Sequence, residues 1–143
     1  MNWKLILQLS LFGLVMGVAT VFFISSSVEP FCWLVVFLIS AYTIARGAPG
    51  RPFLHGVSVG LANSVWVTGA HILLVDQYLA RHAREAAMMS SMPMPTHPRL
   101  MMALMGPVIG LLSGVVLGIF AVVATRLVRP AGVVPATSGT WRA

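Results

Sequence analysis

Between Arg99 and Arg126 the chain reads Leu100-Met-Met-Ala-Leu-Met-Gly-Pro-Val-Ile-Gly-Leu-Leu-Ser-Gly-Val-Val-Leu-Gly-Ile-Phe-Ala-Val-Val-Ala-Thr125, with no charged residue inside it. A bilayer core takes roughly 20 predominantly apolar residues per helix, and this stretch is longer. Its glycines, Gly106, Gly110, Gly114 and Gly118, recur every four residues. That spacing keeps them on one side of an α-helix as a flat strip. In lipid, apolar side chains gain little by leaving the solvent for one another, so close packing and interhelical hydrogen bonds must hold helices together. A strip of this kind supplies the first.

Three similar charge-free stretches lie upstream: Lys4 to Glu29, Glu29 to Arg46, and Arg51 to Asp76. The whole chain of 143 residues carries nine Lys or Arg and three Asp or Glu, 8% charged against 58% apolar. A soluble domain holds about a quarter of its residues as charges. This excludes a soluble enzyme and a nucleic-acid-binding domain, and the lone Cys32 excludes an internal disulfide. The net charge of +6 comes from basic residues beside the apolar stretches, where they orient spans and meet lipid headgroups. The expected fold is an all-α integral membrane four-helix bundle, with spans at about 3–24, 30–45, 53–75 and 101–128. The first apolar run is too long for a signal-peptide core and lacks a cleavage site, so it reads as a retained span.

Between the spans, Ser25 to Ser27 and the turn Gly47-Ala48-Pro49-Gly50 break the pattern, and Pro30 and Pro52 suit helix starts. Helix 2 is short for a ~30 Å core, so Glu29 and Arg46 are expected to snorkel. Beyond Val75 the chain runs to Met89 without Gly or Pro, with Arg81 and Glu85 at i, i+4 spacing. Helix 3 is therefore expected to project beyond the bilayer with the start of helix 4, residues 76–100 forming an outer loop. Thr96 is placed to cap the last helix, and 130–143 form a tail expected to be mobile. Six basic residues (Lys4, Arg46, Arg51, Arg126, Arg129, Arg142) fall on one side and three (Arg81, Arg84, Arg99) on the other. The positive-inside rule then puts both termini in the cytoplasm of a multi-pass inner-membrane protein.

The candidate helix-packing residues are Gly13 and Gly17 in helix 1, Gly56 and Gly60 in helix 3, and the four glycines of helix 4. Polar residues inside a span are costly and invite a functional reading. Gly56, Gly60, Asn63, Ser64 and His71 share one face of helix 3, so Asn63, Ser64 and His71 form a candidate polar pathway, with Gln8 and Ser10 of helix 1 as partners. Seven of nine methionines lie between positions 88 and 105. Thioethers and imidazole suit Cu(I), which makes Met88, Met89, Met92, Met94 and His97 candidate ligands. Met101-x-x-x-Met105 resembles an element of copper uptake channels, which also carry a Gly-x-x-x-Gly helix. On the last helix, Met101 and Met105 lie away from the glycines and are expected to face lipid or a neighbouring subunit. No nucleophile–base pair, phosphate loop or zinc motif occurs, so no enzyme is expected.

The Gly-rich last span ending in Arg126 and Arg129, and the Met-containing linker from Glu85 to Arg99, resemble small four-helix bacterial inner-membrane proteins of unknown function. The resemblance is one of layout and implies no activity. The preferred expectation is a structural or accessory protein in the lipid bilayer, packing through its glycines on itself or on a membrane partner. The alternatives are a small oligomeric channel or transporter using the helix 3 face, and a Cu(I)-handling protein using the outer methionines.

Overall fold

The computed structural model describes residues 1–92 and 95–128 and is all-helical. The six helices are α1 (Trp3–Phe22), α2 (Glu29–Gly47), α3 (Pro52–Leu73), α4 (Val75–Arg81), α5 (Ala83–Ser90) and α6 (Pro98–Leu127). Local chemistry sets their ends. The Asn2 side chain caps α1 by accepting from the Leu5 amide at 3.2 Å. Pro30, Pro52 and Pro98 each occupy the first turn of a helix, where the missing N–H costs nothing. Thr96 does not cap α6. Its hydroxyl lies 2.8 Å from Nδ1 of His97, and His97 itself occupies the cap position.

Three helices, α1, α2 and α6, are each long and apolar enough to cross a membrane. The third expected span is different. His55, Asn63, Ser64, Thr68 and His71 make α3 more polar, and it qualifies only together with α4, across an 86° bend. The sequence led to a helix running on past Val75. The helix instead breaks at Leu74 and turns sharply, then breaks again at His82. The second break separates Arg81 from Glu85, so the expected i, i+4 pair does not form. Arg81 donates to the Phe22 carbonyl at 3.1 Å, and Asp76 pairs with Arg99 at 3.6 Å.

The α3 helix lies between α1 and α6. Against α6 the two glycine strips meet backbone to backbone. A methyl group at Gly56 or Gly60 would collide with the main chain of Gly118 or Gly114. Thr68 and Ser64 fill the space opposite Gly106 and Gly110. On the other side, a Cβ at Gly13 would stand 2.6 Å from Cα of Asn63, and one at Gly17 would stand 3.0 Å from Cα of Val67. All eight glycines of the expected packing set therefore contact other helices of the same chain.

The apolar core gathers at the end where the chain begins. Leu5, Ile6 and Leu9 of α1 meet Ala41 and Ile44 of α2, Val59 of α3, and Leu117 and Ala121 of α6. At this end all four long helices pack together. Outside, the surface is greasy: Leu7 (61% exposed), Val15 (63%), Phe31 (70%), Val65 (70%) and Leu112 (63%) point outward. Contiguous apolar surface on this scale does not persist in water, and it matches a lipid environment.

Candidate functional site

At the opposite end, α2 leans on α6 but barely touches α3, and the helices part. The gap is a cavity of about 820 Å³ with predominantly apolar walls. The α3 helix contributes Gly60, Asn63, Ser64, Thr68 and His71, and α2 contributes Trp33 and Phe37. The α6 helix supplies Met101, Met102, Met105, Ser113 and Phe120. Met88, Met89 and Met92, with Arg84 and Glu85, reach the cavity from α5 and the residues after it. At one wall, Trp33 meets Phe37 edge-on at 6.1 Å, and Phe37 meets Phe120 at 6.3 Å.

The bend at Leu74 brings α4 and α5 to this end. It is held by a stack of rings. His71 lies on Tyr78 with centroids 4.3 Å apart, and Tyr78 lies on His82 at 4.5 Å. His82 is buried, its Nδ1 within 2.9 Å of the Tyr78 carbonyl. Across α1, the hydroxyl of Thr20 stands 2.9 Å from Nε2 of His71.

Asn63 is the polar centre of the cavity wall and is 4% exposed. Its side-chain oxygen accepts from the Gly13 amide at 3.0 Å. That bond fixes the orientation of the amide, since a flipped side chain would set donor against donor. The other end, Nδ2, is buried and has no partner. A buried unpaired donor costs about 1–3 kcal/mol, and Nδ2 is closed to water although its residue lines the cavity.

Two of the chain's three acids, Glu29 and Glu85, also line the cavity. Glu29 accepts from Nε1 of Trp33 at 3.1 Å rather than snorkelling outward. Burial works against ionisation of Glu85, but the Ser26 hydroxyl, its own backbone amide, His82 and Arg84 outweigh it and hold the carboxyl below its usual 4.5. Its Oε2 is shielded from solvent and has no hydrogen-bond partner.

The sequence-derived site residues fall out as follows. Asn63, Ser64 and His71 do share one cavity, although Ser64 also donates back to the Leu61 carbonyl. Their α1 partners are not those expected. Gly13 and Thr20 face Asn63 and His71, whereas Ser10 accepts from Trp66 at 3.2 Å. His55, in the first turn of α3, is buried. Its Nε2 accepts from the Asn2 amide at 2.9 Å, and its Nδ1 lies 2.8 Å from the Arg51 carbonyl. Met101, expected to face lipid or a neighbouring subunit, is 8% exposed, whereas Met105, of which the same was expected, is 40% exposed. They line the cavity, because α2 stands away from α3 and the Met-bearing segment after α4 folds over the gap. Among the proposed metal ligands, Met88, Met89 and Met92 reach the cavity, His97 is exposed beside Thr96, and Met94 lies outside the described residues. Among the described residues no three His, Cys, Asp or Glu converge as a metal site. The predicted tail, Arg129 and Arg142 also lie outside the described residues.

Thr20, Trp33, Glu29 and Glu85 were not expected from the sequence as residues of the site. Thr20 had a signal, lying seven residues after Gly13 and three after Gly17 on one helix face. The two glutamates had none, since charges flanking spans ordinarily face water. With helices long and apolar enough to span a bilayer, the chain is a membrane protein in its general class. No protein-family model, curated protein or solved structure matches it.

Proposed function

We propose that this chain is a small multi-pass protein of the inner membrane whose work is done in the cavity: it binds an amphipathic small molecule, as the binding step of transport. The α3–α4 pair counts as the fourth span. Both termini are cytoplasmic, and the cavity opens toward the outer side, roofed by α5. The observation that carries the reading is a cavity of about 820 Å³ with largely apolar walls, on which α3 sets Asn63, Ser64, Thr68 and His71. Ligand sites of a few hundred to 1,000 Å³ with apolar walls and a few convergent polar groups are the usual form for drug-sized molecules. Six methionines add an adaptable lining that re-packs around different shapes. The accessory reading, action through a glycine face, finds less support, because the eight glycines already contact helices within the chain.

The test uses a neutral amphipath with acceptor oxygens, N-dodecyl dansylamide, and energy transfer from Trp33 in nanodiscs, with Trp3, Trp66 and Trp141 replaced by Phe. Saturable transfer is expected, and it should weaken in Ser113→Phe, which narrows the cavity without adding a donor. Asn63→Ala should weaken binding about tenfold, as loss of about 1.4 kcal/mol requires. Transfer unchanged by either substitution rejects the reading.

A further inference from the structure

The cavity is the one place in this chain where negative charge gathers. The protein carries +6 overall, yet Glu29 and Glu85 face the cavity against Arg84 alone. The third acid, Asp76, is already paired with Arg99, with its side chain 87% exposed. Glu29 takes one hydrogen bond, from Trp33, and Glu85 is stabilised by Ser26, His82 and Arg84, with its Oε2 closed to contact. Both carboxylates nevertheless act on a charge in the cavity through space. The surrounding walls are of a matching kind. Trp33, Phe37 and Phe120 line the cavity with aromatic rings, and ring faces attract cations. Thioethers of Met88, Met89, Met92, Met101, Met102 and Met105 are polarizable.

The geometry points to a ligand class: a drug-sized organic monocation, its charge held between Glu29 and Glu85 and its apolar body against the methionines and aromatic rings. The inference rests on the binding reading above and narrows it. A drug-sized molecule uses the whole space of about 820 Å³, whereas a bare soft metal ion would use only a few thioethers of its wall. Glu85 is ionised at neutral pH, because its surroundings hold the carboxyl below its usual range.

Two ions of matched size and opposite charge test this: tetraphenylphosphonium and tetraphenylborate. Each is titrated calorimetrically against the full chain in zwitterionic nanodiscs, with empty discs subtracted. The phosphonium is expected to bind saturably and at least tenfold more tightly than the borate. In a Glu29→Gln, Glu85→Gln variant the preference should fall below threefold, while the neutral dansylamide still binds, showing that the cavity is intact. Equal binding of the two ions, or a preference that survives the double substitution, overturns the cation assignment and leaves the cavity reading standing. The same holds if the dansylamide binds and the phosphonium does not. If neither ligand binds saturably, both readings fall. A variant that loses the dansylamide is replaced by the single Glu85→Gln substitution, in which a preference unchanged from wild type overturns the assignment.

Discussion

At the scale of single residues, the glycines separate into those that carry contacts and those that do not. Gly60 lies against the Gly114 backbone, whereas a methyl group at Gly69 meets nothing within 4 Å. Gly60→Ala should therefore destabilise the fold by about 1–3 kcal/mol, as overpacking does. Gly69→Ala should stabilise it by about 0.5–1 kcal/mol, through lost chain entropy in the unfolded state. Thermal unfolding of the two variants in detergent checks both signs. Thr20→Val strips His71 of its neighbour on α1 and should cost about 1–3 kcal/mol in the same assay. Glu85 supplies a pH dependence whose sign can be worked out. Its carboxyl is held below 4.5 in the folded chain, so its contribution is present above that pH. It is lost as pH falls through the folded value. The stability difference between wild type and Glu85→Gln should be constant from pH 6 to 8 and vanish on acidification. A difference that grows toward low pH contradicts the assignment.

At the scale of elements, the reach of sequence reading depends on which force shapes each segment. The positions of α1, α2 and α6 were readable from charge gaps, because desolvation of a single Arg or Glu outweighs most local preferences. Gly56, Gly60, Gly106, Gly110, Gly114 and Gly118 were readable as packing positions, because backbone approach demands a residue without a side chain. The bend at Leu74 was not. No Gly or Pro marks it, and the stack of His71, Tyr78 and His82 that holds it joins residues four and seven apart through an irregular turn. That one bend also decided the methionines. On a straight extension Met88 and Met89 would stand far from Met101, and a helical wheel of α6 alone could not show that α5 would cover that face. Replacing Tyr78 by Ala should release the stack. Hydrogen exchange of residues 75–90 should then quicken while the α3–α6 glycine contacts stay protected. Uniform loss of protection would show that the stack holds the whole fold and not the bend.

For the whole molecule, two ends with opposite character follow from one arrangement. Where Leu5, Ile44, Val59 and Leu117 meet, the four long helices close into a dry core. Where α2 departs from α3, a cavity opens on the side reached by α4 and α5. In the proposed function, water and ligand reach this cavity from the outer face of a bilayer, while neighbouring positions of the same helix face lipid. Ser113 and Leu112 make the comparison in adjacent residues: Ser113 lines the cavity, and Leu112 is 63% exposed on the outer surface. The most direct measurement places single cysteines there in a Cys32→Ala background, in sealed, oriented vesicles, and adds a membrane-impermeant cationic methanethiosulfonate from the outer side. Ser113→Cys is expected to be labelled and Leu112→Cys is not, and tetraphenylphosphonium should protect the first. A Ser113→Cys thiol that stays unlabelled from the outer side, or that reacts no faster than Leu112→Cys, would contradict the proposed function.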